Sequence, residues 1–172
     1  MKDDPQIKAI IQNPRQINHR SPKEAQNEST QISIFLYNVT ELPSMRNLQQ
    51  TAQNPPTLLY LNLRYLITPL TQNAENDQII LGKIMQLLSE TPILRGSDLQ
   101  GSLRESGDEL KIILDPLTAD DLNKLWTMFQ MPYKLCISYS VFPVRIDSSS
   151  KIEKPVIIKK PTSQTKKTII TA

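Results

Sequence analysis

His19 and Cys136 are the chain's only histidine and only cysteine, so most nucleophile, general-base and metal-ligand chemistry has two side chains to draw on. A serine or cysteine triad would need His19 as its base. That residue lies in a polar N-terminal stretch, and no GxSxG elbow occurs elsewhere. A zinc site needs a cluster of His and Cys, which one of each cannot build. A lone cysteine forms no intrachain disulfide, and Cys136 falls in the alternating run YKLCISYSVF, where it reads as a buried, inert thiol. Two carboxylate pairs occur, Asp108-Glu109 and Asp120-Asp121. The first falls in a loop and the second in the first turn of a helix, where acids complement the helix dipole. Neither GxGxxG nor a P-loop is present, and Trp126 stands at core spacing. No catalytic, cofactor-binding or metal-ligating residue is assigned, no cofactor is expected, and the chain is expected not to be an enzyme.

The elements that would position any site are clearest in residues 57–94. From 59 to 67 the odd positions are Leu59, Leu61, Leu63, Tyr65 and Ile67, the period of a strand with one face in a core. The even positions are mixed, so both faces are expected to be at least partly covered. Thr68-Pro69 is expected to end the strand. Ile80, Leu81, Ile84, Met85, Leu87 and Leu88 then recur at helical spacing, with Gly82 among them, read as a place where backbone approaches backbone. Thr91-Pro92 closes that helix.

Before this unit, residues 32–39 (ISIFLYNV) read as a strand, and Ile7 to Ile11 as a possible short one. After it, residues 96–109 are polar loop, and residues 110–115 (LKIILD) form a strand. Thr118 and Asp121 make a capping box for a helix whose stripe is Leu122, Leu125, Trp126 and Phe129. A last strand follows, with Tyr133, Leu135, Ile137, Tyr139 and Val141 inward and small or polar residues between them. Such a strand suits a sheet boundary or a neighbouring subunit. The fold expected is α/β: a single mixed sheet of four to five strands packed with two main helices. Leu61, Leu63, Ile84, Leu88, Ile112, Leu114, Leu125 and Trp126 are expected to share one core.

The domain plan is an N-terminal arm, 1–31, a body, 32–147, and a lysine-rich C-terminal arm, 148–172. An apolar fraction of 38% over 172 residues is low because polar ends dilute the body. No run approaches the roughly 20 apolar residues that span a bilayer, and MKDDPQIK lacks the apolar segment of a secretory signal. A cytoplasmic location is expected, unless the chain leaves as part of a larger particle. The net charge of +3 is unevenly placed: residues 151–172 hold six lysines and one glutamate, which leaves 14 basic and 16 acidic residues before them. The basic character is a property of the tail, which argues against a nucleic-acid-binding fold. The same tail leaves open a monomeric binding module that meets nucleic acid or an acidic membrane. It contains two short β-prone runs, Val156, Ile157 and Ile158, and Ile169 with Ile170. Each is too short to make a sheet alone, and such runs add to the edge of a partner's sheet, here a sheath subunit or a neighbouring copy.

Five blocks in order, SIFLYNVTELPSMRN, LNLRYLIT, ILGKIMQLLSETPIL, LKIILDPLTADDLNKLW and PYKLCISYSV, resemble the cap proteins of contractile injection systems of the extracellular virulence-cassette and antifeeding type. The resemblance covers about residues 7–146 and stops short of the tail. It implies a tail-terminator-like fold. It also implies a hexameric ring at the baseplate-distal end that stops growth of sheath and inner tube, with those subunits and further copies of the chain as partners. For the contacts of that ring, the aperiodic stretch containing Glu41, Met45, Arg46 and Asn47 is the candidate, because it combines apolar and charged groups.

Overall fold

A computed structural model describes residues 17–26, 31–47, 59–105 and 107–146. The strands are β1 (Ile17–Asn18), β2 (Ile32–Glu41), β3 (Leu59–Pro69), β4 (Ile93–Arg95), β5 (Glu109–Leu114) and β6 (Ile137–Ile146). The helices are α1 (Pro22–Ala25), α2 (Pro43–Asn47), α3 (Ala74–Glu90), α4 (Ser102–Glu105) and α5 (Ala119–Phe129). One six-stranded sheet runs β1-β2-β3-β6-β5-β4. It is antiparallel except where β1 lies parallel to β2.

The sheet is mixed and carries two main helices, as expected, but it has more strands than the four to five predicted. The extra ones, β1 and β4, are two and three residues long, too short for any periodic signal. Residues 17–26, within the expected N-terminal arm, contribute β1 and α1. There Ser21 and Glu24 form a reciprocal capping box, and Ala25 is fully buried.

Alternation along β3 divides the core in two. Ile67 joins Ile32, Tyr139 and three residues of α3, Ile80, Leu81 and Ile84. Leu66, pointing the other way, packs on Trp126 and Phe129 of α5. Helices therefore cover both faces, and the single core expected from the sequence is two. Ile84, Leu88 and Ile112 belong to the first cluster, Leu125 and Trp126 to the second. Leu61 and Leu63 belong to neither, because the helices reach only one end of β3, and Leu114 is 41% exposed, lining an open pocket with Met85 of α3 and Leu122 of α5. Proline does not end β3 early: Thr68 and Pro69 still align with Ser33 and Ile32, Pro69 taking the last position, where a missing donor costs little.

α3 begins where Asn73 Oδ1 accepts the Glu75 amide at 2.8 Å, and Asp77 Oδ1 accepts the Thr71 amide and hydroxyl at 3.0 and 2.6 Å. Gly82 is exposed, and a Cβ built on it would meet nothing within 4 Å; the close approach expected there does not exist. α5 has the predicted box, Thr118 Oγ1 donating to Asp121 Oδ2 at 2.6 Å and accepting from the Asp121 amide at 3.2 Å. It stops at Gln130, in the left-handed region at φ 53°.

The last strand begins later than predicted. Residues 132–136 join neither helix nor strand, and Tyr133, expected inside, is 58% exposed. β6 is central, between β3 and β5, and its small polar residues Ser138 and Ser140 are buried. They are not left for a neighbour: Ser138 Oγ and Tyr37 Oη share a hydrogen bond of 2.9 Å, and Ser140 Oγ donates to Asp115 Oδ2 at 3.1 Å.

Candidate functional site

The residues that could do chemistry are dispersed. His19 is exposed between β1 and α1. Cys136 is half-buried ahead of β6, where burial pushes its thiol pKa up and away from the reactive thiolate. The carboxylates are engaged in structure. Asp108 pairs with Arg145 at 3.3 Å, Glu109 with Arg95 at 3.3 Å, Asp115 with the Arg64 guanidinium at 3.1 Å, and Asp120 with Lys124 one helical turn on. Hydrogen bonds from Thr118 hold the Asp121 carboxyl below the usual carboxylate range. Among the described residues, no three His, Cys, Asp or Glu side chains group as a metal would require.

Apolar surface is where the molecule is unfinished. Over α5 lies an open trough of about 570 Å³, lined by Leu122, Trp126, Met131 and Tyr133. Trp126, in its lining, meets Phe129 and Tyr133 edge-on, at 5.7 and 5.9 Å between ring centroids.

A second surface lies at the far end of the sheet, beyond the reach of α3. Val39 aligns with Leu63, Leu36 with Tyr65, and Leu59 with Ile146. Aligned residues point to one face, and alternation along β3 makes that face the same for all three pairs. Val39 is 50% and Ile146 48% exposed, with Leu36 and Leu59 also exposed beside them. This ledge is invisible to simple alternation, which would place Leu36 and Val39 on opposite faces. A bulge at Tyr37 shifts the register between Leu36 and Asn38 and brings both to one side.

The predicted contact residues lie beside this ledge. Glu41 is the last residue of β2 and aligns with Leu61. The stretch after it, which shows no period in the sequence, is helical: α2 holds Met45, Arg46 and Asn47. It is tied to β3 by the Leu42 amide, which donates to the Tyr60 carbonyl at 2.8 Å, and Met45 is half-buried. The backbone thus brings all four residues to one end of the sheet; the side chains of Arg46 and Asn47 are outside the described residues. So are Val156, Ile157, Ile158, Ile169 and Ile170, and the possible strand from Ile7 to Ile11.

The described body is a mixed sheet with a helix across each face. The chain belongs to the Pvc16 N-terminal domain family, whose model matches residues 6–159, in agreement with the resemblance carried by the five ordered blocks. Solved structures that share the fold include two terminators. The sheath/tube terminator of the extracellular contractile injection system PVC, in its extended state, superposes with a TM-score of 0.61 at 16% identity, over 97% of this chain and 63% of that one. The tube-terminating cap of the anti-feeding prophage gives 0.53 at 19% identity, over 80% of this chain and 48% of that one. The chain thus spans roughly half to three-fifths of the structures it matches. No curated protein matches the sequence.

Proposed function

We propose that this chain is a structural cap subunit of a contractile injection system: it forms a closed ring, six-fold, at the baseplate-distal end of the particle and terminates growth of the sheath and inner tube. The observation that carries this reading is family membership over residues 6–159, in a fold shared with one sheath/tube terminator and one tube-terminating cap. The chemistry of the chain agrees. A terminator works by presenting rigid surfaces to itself and to the last tube and sheath subunits, and here Asp108, Glu109, Asp115 and Asp120 are held in ion pairs and Asp121 in a helix cap. The subunit acts from the cytoplasm, where the particle is built; no described helix is long and apolar enough to cross a membrane. Its partners are further copies of itself and the sheath and tube proteins, and nucleic acid is not among them.

The ring contact is assigned to Glu41, Met45, Arg46 and Asn47, at the end of β2 and on α2. Arg46→Glu reverses a charge there. In light scattering of the purified protein, the wild type should run as a particle several times the mass of one chain, and Arg46→Glu should shift it toward monomer with an unchanged melting curve. A wild type that stays monomeric at high concentration, and sits singly in assembled particles, removes the ring.

A further inference from the structure

The molecule carries two unlike apolar surfaces. The ledge presents Leu36 and Leu59, each 38% exposed, with Ile146 at 48% and Val39 at 50%. It lies on the face of β3 that carries Ile67 toward α3, at the end of the sheet where β6 finishes. The trough opens over α5 on the other face, where Leu66 packs on Trp126 and Phe129. Its lining includes Met131 and Tyr133, which precede β6, so it sits toward the end where β6 starts. Ledge and trough are therefore set on opposite faces and toward opposite ends.

That separation decides how copies of the chain can use them. A single neighbour cannot lie over both at once. Ledge against ledge closes at two copies and leaves every trough open to water. Ledge against trough uses both surfaces of every copy and repeats head-to-tail until a ring closes. Burying both also removes the most apolar surface from water.

Shape and charge favour the same pairing. The ledge is a row of side chains standing on a sheet, and the trough is a concavity of about 570 Å³, room for several of them. Its margin is polar, with Asn123, Thr127 and Gln130, and Lys23 Nζ donates to Gln130 Oε1 at 2.9 Å. Asp120 and Lys124 on the same helix neutralise each other. Beside the ledge stands an acid, Glu41, aligned with Leu61. An acid by the ledge and a base by the trough attract across unlike surfaces and repel across like ones. We propose that the ring closes head-to-tail, with the ledge of each copy, centred on Leu36 and Val39, seated in the α5 trough of the next. The inference rests on the ring reading above and extends its contact from Glu41 to the ledge beside it, with α5 as the other half.

Complementation between two broken copies tests it. Val39→Glu places a charge on the ledge, and Thr127→Glu places one at an exposed helix position in the trough wall. In sedimentation each variant alone should be a monomer where the wild type is a ring. An equimolar mixture should double that mass and go no further, since one intact ledge meets one intact trough. The mixture is run about tenfold above the concentration at which the wild type assembles, because a ring holds each copy by two contacts and this dimer by one. If either variant alone still forms the ring, the contact lies elsewhere, and this proposal falls while the ring stands. A mixture that stays monomeric shows that ledge and trough are not partners and overturns it as well. A wild type that is itself monomeric removes the ring, and this contact with it. Ile146→Lys on the ledge and Asn123→Lys in the trough replace either variant whose melting curve falls.

Discussion

At the scale of single residues, neighbours on β3 have unlike roles. Leu66 is fully buried against Trp126 and Phe129, whereas Leu63 is only half-buried and belongs to neither core cluster. Leu66→Ala should therefore cost about 2–5 kcal/mol and Trp126→Ala about 3–5 kcal/mol, as cavities in packed cores do. Leu63→Ala should cost clearly less than Leu66→Ala. Urea unfolding of the three variants measures the order, and equal losses for Leu63 and Leu66 would contradict the two-sided core. Asp121 contributes a pH dependence of known sign. Its folded pKa is lowered by bonds from Thr118, so its contribution is fully present above the unfolded value of about 4 and is lost as pH falls through the lower folded value. Asp121→Asn should flatten the loss of thermal stability as pH falls below about 4, measured by melting at each pH.

At the scale of elements, α3 carries a correctable weakness. Gly82 sits mid-helix, exposed, with open space where a Cβ would stand. Gly82→Ala should stabilise the protein by about 0.5–1 kcal/mol, because glycine gives up more backbone freedom in a helix than alanine does. A fall in melting temperature would show that something closes on that face, as a partner or a neighbouring copy would. The capping box of α5 was legible because Thr118 and Asp121 are three residues apart and need nothing else to find each other. The start of β6 was not legible. The run from Tyr133 to Val141 alternates without interruption, but ladder pairing begins only at Ile137, where β3 presents Ile67. β3 itself continues to Pro69, aligned there with β2, so the path of the chain before β6, and not the strand's own pattern, sets that boundary.

At the scale of the whole molecule, the proposed ring makes a prediction about particles. Without a terminator, sheath and tube growth has no stop, so deletion of the gene should broaden particle lengths or block maturation, read directly by electron microscopy. Uniform, capped particles in the deletion strain would count decisively against the cap role.

Local order in the sequence determined the periods of β3, α3 and α5, the box that starts α5, the charge segregated into residues 151–172, and a lack of grouped His and Cys. Each of these depends on residues a few positions apart, which is the range over which sequence pattern and backbone geometry are coupled. Tertiary structure decided the rest. It split one expected core into two by placing α3 and α5 on opposite faces of the sheet. It buried Ser138 and Ser140 by giving them Tyr37 and Asp115 as partners. It also gathered Leu36, Val39, Leu59 and Ile146 into one exposed ledge through a bulge at Tyr37 and the pairing of β2, β3 and β6. These features depend on which strands become neighbours and in what register, and a one-residue shift of register reverses every side chain's face.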